Sequence, residues 1–193
     1  MNKVNIIAEC CQNHNGDKEI LKKMIHNAAD NGADYVKIQA IRSKDLSFRE
    51  RFEKGEVDET GKVLVIKRPY EQELERLAKL DLSLEEELWF VNECKIAGVS
   101  PMTTVFNRKS VNEVKNMGYD AIKIASYDCA SIPLLKDVKD KYKGRVMINA
   151  RYKPSQINKF KNSHLKKIVN SLFIHEVKGN LDDMPIENLS WFK

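Results

Sequence analysis

Short apolar runs alternate with amphipathic segments along most of the chain. The β-type runs are KVNIIAE (3–9), DYVKIQA (34–40), GVSPMTTVF (98–106), YDAIKIAS (119–126), GRVMINA (144–150) and SLFIHEV (171–177). Between the first two, DKEILKKMIHNAADNGA places Ile20, Leu21, Met24, Ile25, Ala28 and Ala29 at the spacing of a helix with one apolar face. Asp17 fits its N-cap, and Gly32 supplies the stop before the next strand. SLEEELWFVNECKIAG (83–98) opens with Ser83 and Glu86, the spacing of a capping box, and closes at Gly98. RKSVNEVKNMG (108–118) and SIPLLKDVKDKYKG (131–144) are further helices closed by glycine. Strand, helix, glycine, strand predicts right-handed βαβ units and therefore parallel strands. Residues 41–80 break the rhythm, with a candidate β pair near KVLVIK (62–67) and a helix near YEQELERLAKL (70–80). This stretch reads as an elaborated loop after the second strand, either covering a site or a plain insertion.

Parallel strands allow an open sheet or a barrel. An open nucleotide-binding sheet calls for a glycine-rich first turn, and the chain has neither GxGxxG nor GxxxxGK[ST]; its first turn is ECCQNHNGD. Polar residues instead gather where strands end: Glu9 on the first, Lys37 and Gln39 on the second, Thr103 and Thr104 on the third, Lys123 and Ser126 on the fourth. A (β/α)₈ barrel builds its site from such positions, at the C-terminal ends of its strands. Lys37 and Gln39, two apart, share one face of their strand, which in a barrel is the lumen. Lys123 shares its face with Ala121 and Ala125, which leave room for a long cation. A single strand lysine can snorkel to water. Two lysines, a glutamine and a glutamate on successive strand ends are harder to explain by packing, because sheltered unpaired charges cost several kcal/mol. Such a set must be paired with itself or with a ligand.

Composition narrows the class. A chain of 193 residues has room for one domain with a sizeable core, and 42% apolar with 32% charged residues is an ordinary globular balance. No apolar run approaches the roughly 18–20 residues of a membrane span, and MNKVNIIAECC lacks the pattern of a signal peptide. Four cysteines without CxxC spacing fit reduced thiols and a cytoplasmic setting. The net charge of +5 is uneven: residues 136–178 hold twelve Lys/Arg against three Asp/Glu. Without interleaved aromatics or a nucleic-acid motif, that stretch reads as a solvated lysine-rich face, not a nucleic-acid or membrane surface.

IIAECCQNHNGD, ADYVKIQ, TTVFNRKSVNEVKNMGYDAIKIAS and LLKDV, in this order, resemble the N-terminal barrel of the sialic acid synthase family, which also makes related nonulosonic acids. The NHNGD turn, the K-x-Q strand end and the KIAS strand carry the resemblance together, over roughly residues 4–138. It implies a TIM-type (β/α) barrel that condenses phosphoenolpyruvate with an N-acetylmannosamine-type sugar, releasing phosphate, on a divalent metal (Mn or Mg). By position, Lys37, Lys123 and Ser126 would hold the phosphoenolpyruvate anion with help from Thr104. Gln39 would contact the sugar, Glu9 would stand beside the reacting centre, and Asn13, His14 and Gly16 would shape the turn over it. The chemistry agrees: a trianion needs fixed cations in a shielded cavity, and attack on an aldehyde needs a Lewis acid or proton donor.

The departures are specific. Asn149, Ala150 and Arg151 stand where the family has a phosphate-receiving Ser-Thr-Gly turn; Asn149 is the substrate-binding candidate there. Asp128 replaces an acidic sugar ligand that is usually Glu, and Lys178 and Asn180 replace a sugar-contacting Asn and Tyr. Residues 1–145 match well and 146–193 diverge. The family's metal-binding histidines belong to later strands and its antifreeze-like domain follows them, so the sequence predicts an incomplete barrel of about six units out of eight, with no metal ligands of its own. Open edges would then call for self-association or completion by another chain. Two rivals stand beside the synthase: a non-catalytic homologue that binds an anionic ligand or a partner chain, and another phosphoenolpyruvate- or aldol-type barrel enzyme acting on a different aldehyde.

Overall fold

A computed structural model describes residues 4–125, 128 and 131–148, together with the backbone of 173 and 174. The elements follow in the order β1 (Ile7–Cys11), α1 (Lys18–Asp30), β2 (Tyr35–Ala40), α2 (Glu50–Lys54), β3 (Glu56–Val57), β4 (Val63–Val65), α3 (Tyr70–Ala78), α4 (Leu84–Ile96), β5 (Ser100–Val105), α5 (Arg108–Val114), β6 (Ala121–Ile124), α6 (Ile132–Lys141), β7 (Arg145–Ile148) and β8 (Phe173–Ile174). Six strands form one parallel sheet in the order β1-β2-β5-β6-β7-β8, while β3 and β4 make a separate antiparallel hairpin within the long loop after β2. This is the α/β arrangement of an incomplete TIM-type barrel.

Local cues set the helices. Asp17 accepts hydrogen bonds from the N–H groups of Glu19 (2.7 Å) and Ile20 (3.1 Å), answering two of the orphan donors at the start of α1. At α4 both halves of the capping box are made: Ser83 N–H donates to Glu86 Oε2 (2.8 Å) and Glu86 N–H to Ser83 Oγ (3.2 Å). Strand alternation sets the layers. Val36, Ile38, Ala40, Val105, Ile122, Ile124 and Ile148 turn from the sheet into a core shared with Leu21, Ile25, Phe90, Val91, Val111, Leu135 and Val138 of the helices. The intervening strand residues line the other face, which carries the polar set.

The first strand differs from its sequence reading. The apolar run 3–9 does not form one strand ending at Glu9; Val4 and Ile6 are exposed, and the strand starts at Ile7 and runs on to Cys11. The register steps between Glu9 and Cys11, which pair with Lys37 and Ile38 of β2. This bulge explains the difference: one extra residue lets the strand pass its carboxylate and bend into the turn.

The inner face is ordered in rows by the parallel register. Glu9, Lys37, Met102 and Ala121 lead to Arg145 in one row, and Gln39, Thr104, Lys123 and Met147 form the next, nearer the C-terminal ends. Arg145 Nη1 donates to Tyr35 Oη (2.8 Å), so a side chain of β7 reaches one of β2 across β5 and β6. Among the described residues no helix is long and apolar enough to cross a membrane.

Candidate functional site

Lys37 is the centre of the polar face. Its side chain is 3% exposed, and its ammonium lies 2.5 Å from Glu9 Oε2. It also donates to Thr104 Oγ1 at 2.9 Å, reaching diagonally from its own row into the next. Burial pushes its pKa down; Glu9 opposes that shift and Lys123 adds to it. Two cations therefore feel each other across this face, as expected where strands β2 and β6 point long side chains into one space.

Lys123 is the less satisfied of the two. It is half-buried, pairs with the row of Thr104 through the β5–β6 register, and makes no ion pair or hydrogen bond with another described residue. Ala121 and Ala125 keep the space beside it small-sided. Glu9 lies at the rim. Its side chain is 41% exposed, and its second oxygen, Oε1, accepts from the N–H of Cys11 at 3.1 Å.

The turn after β1 is held by its own backbone. Asn13 N–H donates to the Cys10 carbonyl (2.9 Å), Asn15 N–H to Gln12 (3.1 Å) and Asp17 N–H to His14 (2.8 Å). His14 is buried, and its Nδ1 accepts from Gly16 N–H at 3.0 Å; burial lowers its pKa, against the pull of Glu86. A neutral ring with Nδ1 given to the backbone is a turn-shaping histidine. Cys11 takes φ +51°, in the left-handed region that side chains other than glycine's rarely adopt. Its sulfur accepts from Gln39 Nε2 at 2.9 Å, and burial followed by Glu9 pushes its thiol pKa up. The thiol thus stays protonated and fixes the glutamine amide.

The structure brings Glu9, Lys37, Gln39, Thr104 and Lys123 onto one face, Lys37 linking the two rows. Asp128 sits in the loop after β6, where Ser131 N–H donates to its carbonyl (2.9 Å). Burial raises its carboxyl pKa and Arg49, from the long loop after β2, acts against this. Ser126 and Asn149 lie outside the described residues, as do Arg151, Lys178, Asn180 and the lysine-rich stretch from 149 onward. Sequence reasoning missed the parts of Cys11 and Arg49. A second cysteine directly after a strand-end carboxylate was the visible signal for the first; nothing local marks the second.

A cleft of about 510 Å³ opens at the same end of the strands, lined by residues including Asp45, Phe106, Lys109 and Leu134. Its cations are already answered, Arg108 by Asp137 and Lys109 by Asp45 at 3.1 Å. An added anion has less to gain there than beside Lys123. Among the described residues no three His, Cys, Asp or Glu side chains converge to hold a metal ion. The described residues therefore do not make a site for the divalent metal that the sequence resemblance implies.

The family model described as the NeuB family matches residues 24–150. The chain is 32% identical over 139 residues to N,N'-diacetyllegionaminic acid synthase of Campylobacter jejuni, covering 72% of this chain and 40% of that protein. It is 29% identical over 131 residues to the enzyme of the same name from Legionella pneumophila, covering 68% and 35%. In structure it is similar to N-acetylneuraminic acid (sialic acid) synthetase from Leptospira borgpetersenii, with a TM-score of 0.71 at 24% identity over 99% of this chain and 61% of that one. A putative spore coat polysaccharide biosynthesis protein E from Chromobacterium violaceum follows the same fold at a TM-score of 0.63 and 25% identity, over 89% of this chain and 48% of that one. The chain spans less than half the length of these two curated synthases.

Proposed function

Since the chain belongs to the NeuB family, we propose that it acts as a nonulosonic acid synthase-like protein. In this reading it joins phosphoenolpyruvate to an N-acylated hexosamine with release of phosphate. The supporting observation is the half-buried ammonium of Lys123, unpartnered among the described residues and close enough to Lys37 to depress its pKa. Two like charges sheltered on one face are unfavourable unless something negative joins them. A small molecule bearing both a phosphate and a carboxylate meets that need. Thr104, with its hydroxyl at the Lys37 ammonium, would position the anion, and Gln39 and Asp128 would contact the sugar. Glu9, at the rim, would face the reacting carbon and accept hydrogen bonds from the acceptor. Cytoplasmic residence and an oligomeric or chain-completed assembly belong to the same proposal.

Titration of phosphoenolpyruvate by calorimetry tests it. Lys123→Met abolishes binding, and Cys11→Ser, which keeps an acceptor for Gln39, leaves it intact. Equal affinity in the two variants would refute the assignment of Lys123. A phosphate-release assay with Mn²⁺, phosphoenolpyruvate and an N-acylated hexosamine then separates a synthase from a homologue that only binds the anion.

A further inference from the structure

Glu9 and an incoming anion need the same ammonium. Glu9 Oε2 lies 2.5 Å from Lys37 Nζ, so Lys37 is already paired. Lys123 is not. A single carboxylate thus answers one of two neighbouring cations, and no described residue answers the other. A small dianion or trianion set between them answers both.

The two partners of the ion pair differ in freedom. Lys37 is 3% exposed, held in place by its strand and by Thr104 at 2.9 Å. Glu9 is 41% exposed and leaves from a bulge in β1. If the pair opens, the glutamate moves. It need not go far, because Cys11 N–H holds Oε1 at 3.1 Å while Oε2 carries the contact with the lysine. Rotation about the side chain's last bonds swings Oε2 outward, and repulsion from the bound anion favours that direction.

We propose that Glu9 is an internal stand-in for the anionic substrate, holding Lys37 in the empty site and displaced when the anion arrives. Displacement leaves a carboxylate without its cation at the mouth, where a polyhydroxylated acceptor would enter. This rests on the reading of the Lys37–Lys123 face as an anion pocket.

The alternative is a scaffold, in which Glu9 only holds Lys37 in a binding-competent pose. The two roles predict opposite signs. Phosphoenolpyruvate, with inorganic phosphate as a second probe, is titrated calorimetrically into the wild-type chain, Glu9→Gln and Glu9→Asp. Glu9→Gln removes the competing charge while keeping size and the contact to Cys11 N–H. Glu9→Asp keeps the charge but shortens the side chain by one methylene, away from Lys37. As competitors removed, both variants bind the anion about tenfold tighter or more. Unchanged or weaker binding in the variants, with measurable binding in the wild type, overturns the stand-in role and leaves the pocket reading untouched. Binding by none of the three proteins overturns the pocket and the inference together. Circular dichroism checks folding, and should Glu9→Gln fail to fold, the sign of the Glu9→Asp change decides alone.

Discussion

Glu87 shows how much one residue can carry away from the site. It is 1% exposed on α4, with Arg42 Nη2 at 2.5 Å and the Tyr119 hydroxyl at 3.4 Å. Glu113 of α5 lies 3.0 Å from the other side of the same guanidinium, and Lys109 joins Glu113 to Asp45. Burial raises the Glu87 carboxyl from its usual 4.5 to about 7; Arg42 and Tyr119 pull it down, and Glu113 pushes it up. A carboxyl whose folded pKa lies above its unfolded one holds its proton more tightly in the folded state. Its contribution to stability is complete below pH 4.5 and is lost as pH rises through about 7. The loss amounts to up to about 3 kcal/mol for a shift of that size. Glu87→Gln, a neutral mimic of the protonated acid, removes this slope. Thermal melts of the two proteins converge near pH 5 and diverge by pH 8, the variant gaining relative to wild type; parallel curves would contradict the assignment.

The turn between β1 and α1 makes the same kind of argument for an element. Gly16 has φ +74°, and a Cβ built on it would meet the carbonyl oxygen of Lys79, just past α3. The NHNGD turn is therefore pressed backbone to backbone against the end of α3, and glycine is required by both conformation and space. Gly16→Ala destabilises the fold by about 2 kcal/mol, adding left-handed strain to a clash with a backbone atom; a denaturant midpoint equal to wild type would show that the turn lifts off α3 freely. Features of this sort divide by range. Asp17, Ser83 with Glu86, and Gly98 act within four residues, and their roles are written in the local sequence. So is the shared face of Lys37 and Gln39, because strand alternation fixes it. The bulge at Glu9–Cys11 is not, since a register step depends on the partner strand; nor is the Arg42–Glu87 contact, made across 45 residues between a loop and a helix. Even within the site, the sequence assembles the cations but cannot show that Lys37 is taken by Glu9 while no described residue answers Lys123.

At the scale of the whole molecule, the hydrogen bond from Arg145 to Tyr35 is a measure of curvature. β2 and β7 are separated by β5 and β6, three inter-strand steps and so about 14 Å on a flat sheet, where side chains stand parallel and their tips stay that far apart. A contact of 2.8 Å between those tips fits a concave polar face over which the two side chains converge, with Ala121, beside Arg145 in its own row, leaving the guanidinium room to cross. The same concavity fits the approach of Lys123 of β6 to Lys37 of β2 that shifts the latter's pKa, so the bridge and the proposed anion pocket share one shape. A double-mutant cycle of Tyr35→Phe and Arg145→Met measures that shape in solution. Tyr35→Phe removes only the acceptor oxygen, and for a partly exposed charged donor the coupling is about 0.5–1 kcal/mol in urea denaturation. Zero coupling would count against the bridge and remove it as support for a concave face.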